Sequence, residues 1–331
     1  NNIEFPAGLR ISPSYNPVPD PERILEEVSG LLVANGFYEM MNNSLTRSSY
    51  YEGLPGYSAH ETVKMLNPIS RDLDILRRNL LFGGLESIAH NLNRKSHDLK
   101  FFEFGRVYNR SVAQHLPLPG YREDNRLLMI ATGMNMQENW NHTKEPVGFF
   151  DMKAMVNMIL QRVGFPMEKL VVQPGRNPLL TECLDYLHEG ITVATVGMVT
   201  REMLEKFDIR QPVFASALDW DQLLTLIPEK AVTFRGLPSF PEVRRDLALV
   251  VDTTVAYSEL ETLAFRTEKR ILRKVGLFDV YEGEKIGAGM KSYAMSFILQ
   301  DDDKTLTDKD IEKTMEKLMT AFTEKFNARL R

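Results

Sequence analysis

In the last third of the chain, apolar positions recur with two periods, and each change of period marks an element. Leu247, Leu249 and Val251 repeat every second residue, which predicts a strand over 244–251, entered at Pro241. Ser258 and Glu261 have capping-box spacing. Leu260, Leu263, Ala264 and Ile271 then make one apolar face of a helix expected to reach Lys274. A strand over 276–282 follows, and then another over 292–300, where Tyr293, Met295, Phe297 and Leu299 alternate with smaller or more polar residues. Between these two strands, Gly287-Ala288-Gly289 predicts a hairpin turn and not a phosphate loop. Thr307 and Asp310 form a second capping box. They open a helix whose stripe is Ile311, Met315, Leu318, Met319, Phe322 and Phe326, and 328–331 suffice for a short edge strand.

The upstream pattern is more varied. Asp20-Pro21-Glu22 is a helix start, with an N-cap acceptor and proline at the first helical position, and Gly36 sits where a C-cap glycine belongs. A strand over 37–45 is expected next. Gly83-Gly84 predicts a bend, and Leu85, Ile88, Ala89 and Leu92 one face of a helix. Residues 101–108 make a dense apolar strand, 115–126 a proline-rich loop, and 126–134 a further strand. Asp151 is expected to cap a helix striped by Met152, Met155, Val156, Ile159 and Leu160, a methionine pattern that reads as core. Two strands around 191–199, a helix over 200–207 and a strand over 213–218 follow, and the stretch from Leu223 to Pro238 reads as a linker.

Composition narrows the classes. A chain of 331 residues with 43% hydrophobic content can bury two cores. No apolar run approaches the roughly 18 residues of a membrane helix and no signal-peptide pattern opens the sequence, so the expected compartment is the cytoplasm, with no membrane partner. Cys183 is the single cysteine and has no partner for an internal disulfide, and no His/Cys spacing suggests a metal site. The chain opens Asn1-Asn2 without methionine, as expected of a piece of something longer. Residues 235–331 hold 17 basic and 17 acidic side chains, so the net charge of −5 lies wholly upstream. Any RNA contact must then come from a local patch and base geometry rather than bulk attraction to phosphate.

The order β-α-β-β-α-β is that of a ferredoxin-like unit, with two helices on one sheet face and the other face open. Its residues Arg244-Arg245-Asp246-Leu247-Ala248, Leu277-Phe278-Asp279-Val280-Tyr281, Lys291-Ser292, Gln300-Asp301, Thr305-Leu306-Thr307-Asp308 and Leu330-Arg331 resemble the anticodon-binding domain that ends the β subunit of bacterial phenylalanyl-tRNA synthetase. Upstream, Leu66-Asn67-Pro68-Ile69-Ser70, the run from Leu76 to Leu85, Asn91-Leu92-Asn93-Arg94, Phe149-Phe150-Asp151-Met152-Lys153 and Pro174-Gly175-Arg176 resemble that subunit's catalytic-like domain. Gln173 stands where the family usually has histidine. The expected fold is therefore α+β: a class II synthetase-like antiparallel-sheet domain over 1–225, a linker over 226–237, and a ferredoxin-like βαββαβ domain over 238–331.

What the resemblance implies is a scaffold with no cofactor of its own. It would pair with a catalytic α subunit in an α2β2 enzyme that attaches phenylalanine to its tRNA using ATP and magnesium. Arg77, Arg78 and Arg106 lie near the second class II motif, but no Gly-x-Gly-x-x-Arg segment precedes the linker, so no catalytic residue is assigned. For RNA, alternation selects a face. Leu247, Leu249, Phe278, Val280, Tyr293, Met295 and Leu330 should face the helices, which leaves Ala248, Asp279, Tyr281, Ser292 and Arg329 as the tRNA-binding set, with Ser296 beside them. Tyr281 offers a stacking plane, Asp279 an acceptor, Ser292 a two-way hydroxyl, Arg329 a donor and Ala248 space. Arg266, Arg270 and Arg273 read as a solvated helix face or a phosphate ridge, and Asp301-Asp302-Asp303 as a solvated turn. Two other functions stay open: a regulatory module, which would bind a small ligand without tRNA, and an independent ligase, which would exchange ATP and pyrophosphate alone.

Overall fold

The computed structural model describes residues 20–68, 70, 72–111, 120–136, 139–227, 236–283 and 286–331. Ile69, residues 112–119 of the expected loop, and 228–235 of the expected linker lie outside the described residues. The chain divides into two compact units, Asn1–Ala231 and Val232–Arg331.

The first unit contains α1 (Pro21–Ala34), β1 (Tyr38–Glu39), β2 (Leu45–Thr46), β3 (Ile75–Leu76), α2 (Leu81–Leu92), β4 (Leu99–Arg110), β5 (Tyr121–Thr132), α3 (Phe149–Arg162), β6 (Leu170–Pro174), β7 (Leu180–His188), β8 (Ile191–Val199), α4 (Arg201–Lys206), β9 (Val213–Asp219) and α5 (Trp220–Leu226). Seven strands form one sheet in the order β1-β4-β5-β9-β8-β7-β6, antiparallel except for β1 beside β4. Alternation along β5 builds two cores. Leu127 and Met129 join Val156 of α3 and Trp220 of α5, while Leu128 and Ile130 join Phe82 of α2 and Met203 of α4.

Several expectations change here. The 37–45 strand stops after Glu39: Met40 N–H makes the last bond to β4, at Phe102 O, and the chain then turns so that Asn42 reaches Glu103. Gly83 and Gly84 lie inside α2, not at a bend. A Cβ at Gly84 would stand 3.0 Å from Leu128 Cδ2, so glycine here lets the helix approach the sheet. β5 begins at Tyr121, five residues before the expected start, since its polar end is paired along β4 and Arg122 with Asp124. Asp151 is the third residue of its helix, its carboxylate accepting Gly148 N–H at 2.7 Å, so α3 starts three residues early. A single strand, β8, spans 191–199. Leu223 lies within α5, where it is fully buried, and not in a linker.

The second unit contains β10 (Val243–Asp252), α6 (Tyr257–Thr267), β11 (Leu272–Tyr281), β12 (Met290–Leu299), α7 (Asp308–Phe326) and β13 (Arg329–Leu330). Its strands form an antiparallel sheet in the order β11-β12-β10-β13. Leu249, Val251, Tyr293, Met295, Phe297 and Leu299 face Leu260 and Ala264 of α6 and Ile311, Leu318 and Phe322 of α7. The Thr307/Asp310 capping box opens α7 as expected. The first helix does not reach Lys274. Glu268 accepts the N–H groups of Arg270 and Ile271, which turns the chain, so Ile271 enters the core from outside the helix and β11 starts at Leu272.

Asp301 is no solvated turn residue, being only 2% exposed. The Asp303 N–H and the Arg270 guanidinium, the latter at 2.6 Å, hold its carboxyl below the usual range. Lys304 and Thr307 lower Asp310 likewise, and Thr254 lowers Asp252. A carboxylate depressed in the folded state contributes stability that is complete above its unfolded pKa of about 4 and is lost as pH falls through the lower folded value. Melting of this unit is therefore expected to be level above about pH 5 and to fall steeply in acid, and calorimetry across pH checks it. An Asp301→Asn chain should melt lower at neutral pH and show a shallower acid slope.

Candidate nucleic-acid interface

Both helices of the second unit pack on one side of its sheet, and strand register fixes which residues share the other. Ala294 of β12 stands opposite Ala248 of β10 and Asp279 of β11. Ser292, two residues back, stands opposite Val250 and Tyr281, and Val250 opposite Arg329 of β13. The five residues selected by alternation therefore lie in two adjacent rows of one face. The row through Ser292 crosses four strands and is about 14 Å across, and the row through Ala294 crosses three and is about 10 Å across, at strand spacings of about 4.8 Å.

That face is bridged at one end. Arg331 N–H donates to Ala248 O at 2.9 Å, and its guanidinium carbon lies 4.6 Å from the centroid of the Tyr281 ring. β11 and β13 are the two edges of the sheet, so this cation–π contact spans the strands between them. Ser292, in the row it spans, is 2% exposed. Alternation predicts it to be open, but it is buried in the row that the Tyr281–Arg331 pair spans. Asp279 and Arg329 are exposed, and Ala248 is half-buried.

The cations are mostly committed. Arg244 holds Asp246 at 2.8 and 3.2 Å, Arg270 holds Asp301 and Arg273 holds Asp302, each at 2.6 Å. Arg270 and Arg273 lie beyond the end of α6, so with Arg266 they form no ridge on one helix. Among the described residues, Arg329 and Arg331 have no ion-pair partner. The resulting face offers an aromatic plane, an acceptor, a hydroxyl, a shallow alanine floor and two cations at one corner. Such a set suits an unstacked base better than a duplex backbone.

Phe278, expected inside, is on this face. β11 slips register between Leu277, opposite Met295, and Asp279, opposite Ala294, and Phe278 is the extra residue. Val280 and Leu330 oppose Tyr293 and Leu249 on the helix side, as expected, yet both are exposed because they sit on edge strands. Arg244 and Arg331 share the parity of Ala248 and Arg329, so the same alternation could have found them. The bulge has no such signal.

In the first unit, the arginines near the expected motif do not make a phosphate grip. Arg77 pairs with Glu103 at 2.6 Å, Arg78 with Glu61 at 2.5 Å, Arg106 with Glu123 at 3.4 Å, and Arg126 with Asp219. An ATP phosphate would have to displace a carboxylate from each. Among the described residues, no group of three or more His, Cys, Asp or Glu is placed to hold a metal, and no helix is long and apolar enough to cross a membrane.

Comparison with known proteins agrees with this division. Residues 10–220 match the family model described as the phenylalanyl tRNA synthetase beta chain CLM domain, and residues 238–331 match the ferredoxin-fold anticodon binding domain. The phenylalanine–tRNA ligase beta subunit of Bacteroides thetaiotaomicron is 43% identical across 100% of this chain and 41% of that one, and the same subunit of Porphyromonas gingivalis is 41% identical over the same shares. The chain thus spans about two fifths of the length of the curated relatives it matches. Among solved structures, pyrrolysyl-tRNA synthetase from Desulfitobacterium hafniense aligns with TM-score 0.47 and 17% identity, over 62% of this chain and 69% of that one.

Proposed function

The chain belongs to the phenylalanyl-tRNA synthetase beta chain family, and from that premise we propose that its second unit reads the anticodon of phenylalanine tRNA on the open face of its sheet. Residues 1–225 brace a separate catalytic α subunit in an α2β2 cytoplasmic enzyme, and 238–331 carry the RNA contacts. ATP and magnesium belong to the assembled enzyme, and the pairing of Arg77, Arg78, Arg106 and Arg126 with carboxylates supports this. ATP would supply the activation of the amino acid. The role of this chain's own residues is to position the tRNA.

One observation carries the reading: Ala248, Asp279, Tyr281, Ser292 and Arg329 occupy two adjacent rows of a sheet face that, among the described residues, no helix of the unit covers. A base stacks on Tyr281 as Arg331 gives way, which frees the Ser292 hydroxyl and sets the base edge near Asp279. Arg329 takes a phosphate. In the assembled enzyme, Tyr281→Ala is expected to weaken tRNA binding by about 1–3 kcal/mol, with the melting of the chain unchanged. Equal affinity of the variant and the parent enzyme would remove the open face as the RNA surface.

A further inference from the structure

The bulge in β11 presents an aromatic ring where regular alternation would have buried it. Phe278 is 55% exposed, and the Arg244 guanidinium carbon lies 5.4 Å from its ring centroid. Arg244 is on β10 opposite Ile298, so it reaches Phe278 across β12, and Asp246 holds its guanidinium from the same strand. A phenyl ring that only avoided water would fold against apolar neighbours. This one is pinned by a fixed cation on a face that mixes alanine, serine, glycine and charged groups with Val250, Ile298 and Tyr281 and is not one large apolar patch. The arrangement repeats the Tyr281–Arg331 pair at the other end of the same face.

The spacing of the two pairs is informative. Phe278 and Tyr281 are three residues apart on one strand, and because the bulge takes up one of them the two rings stand between two and three rises apart, about 7–10 Å at about 3.3 Å per residue. Between them runs the row of Asp279, Ala294 and Ala248, which the Arg331 side chain crosses from beside Ala248 to Tyr281 and leaves open when that pair gives way to a base. An RNA strand with one base on Tyr281 can lay the next over the alanines and bring a third onto Phe278.

We infer that Phe278, oriented by Arg244, is a second base-stacking platform for a single-stranded RNA segment of at least three nucleotides. The inference rests on the reading of the open face as the RNA surface, and it adds a contact outside the five-residue set. Phe278 supplies the plane. Arg244 is a positioning residue, closing the ring's sheet side while Asp246 balances its charge. Stacking tolerates any base, so this platform contributes affinity and register more than base identity.

The test uses the assembled enzyme with Phe278→Ala, Phe278→Leu and Phe278→Tyr, and Tyr281→Ala as the reference. The ring is exposed, so all the variants should melt like the parent. Dissociation constants for phenylalanine tRNA are measured across a salt series. The tRNA carries 2-aminopurine at one anticodon position at a time. Phe278→Ala and Phe278→Leu are expected to bind about 5- to 150-fold more weakly, with unchanged salt slope because no charge is lost. One 2-aminopurine position should brighten as its base unstacks, and Phe278→Tyr should restore both affinity and quenching. If Tyr281→Ala weakens binding and Phe278→Leu does not, the second platform is overturned and the open-face reading stands. If neither weakens it, the reading itself has failed. Dissociation of the subunits by Phe278→Leu, with RNA affinity of the intact enzyme kept, would make Phe278 a protein contact and overturn the inference.

Discussion

Glu103→Ala is expected to destabilise the first unit by about 3–5 kcal/mol. Glu103 and Arg77 are both buried, and their 2.6 Å contact is the centre of a closed network. Arg77 Nε donates to Arg106 O at 2.9 Å and Nη1 to Asn42 O at 3.3 Å, while the second Glu103 oxygen accepts Asn42 Nδ2 at 2.8 Å. Removing the carboxylate leaves a guanidinium in the interior with carbonyls but no counter-charge, and it also frees Asn42. The loss is far larger than an exposed pair would give, because surface pairs contribute only about 0–1 kcal/mol. Urea unfolding of the parent and variant chains measures it. Replacing both partners by apolar residues, as in Arg77→Met with Glu103→Leu, should recover most of the loss, since a buried pair is often no more stabilising than well-packed hydrocarbon. A single-variant loss under about 1 kcal/mol would sink the argument.

This network also marks the limit of what the sequence discloses. In Phe101-Phe102-Glu103-Phe104-Gly105-Arg106 the strand is plain, but nothing local says that its carboxylate is buried or that its partner lies 26 residues upstream. Gly105 reads as a weakness in the strand. In the fold it makes room, because a Cβ there would strike the Arg77 guanidinium. Elements that end in their own side-chain chemistry were legible: Asp20 at α1 and Thr307 at α7 both cap where expected. Those whose ends are set by a distant partner were not. β1 stops where Asn42 turns to Glu103, β5 starts early because β4 pairs its polar end, and α6 stops where Glu268 captures two amides.

The candidate interface divides the same way. Period-two alternation placed five residues in two neighbouring rows, since parity survives even when strand ends are misjudged. It could not foresee the burial of Ser292, which comes from two side chains meeting across the sheet, or the exposure of Phe278, which comes from one slipped register. The bulge itself preserved the assignment of Asp279 and Tyr281.

Phe322→Ala should be equally severe for the second unit, at about 3–5 kcal/mol, and it separates the face that folds from the face proposed to bind RNA. Phe322 is completely buried on α7, and its ring centroid lies 6.1 Å from that of Phe297 on β12, the central strand. Phe297 and Ser296 point to opposite sides of that strand, so the helix that packs Phe322 holds the sheet on which the open rows depend. With about 4–8 °C of melting temperature per kcal/mol for a domain of this size, the second transition of the whole chain should drop by more than 10 °C. RNA affinity should follow the folded fraction, near parental well below the new transition and lost through it. Tyr281→Ala should do the reverse, leaving the transition in place and weakening binding at every temperature. If Phe322→Ala weakened binding while the unit was still folded, the two sheet faces would be coupled and the open face could not be treated as a surface resting on an independent core.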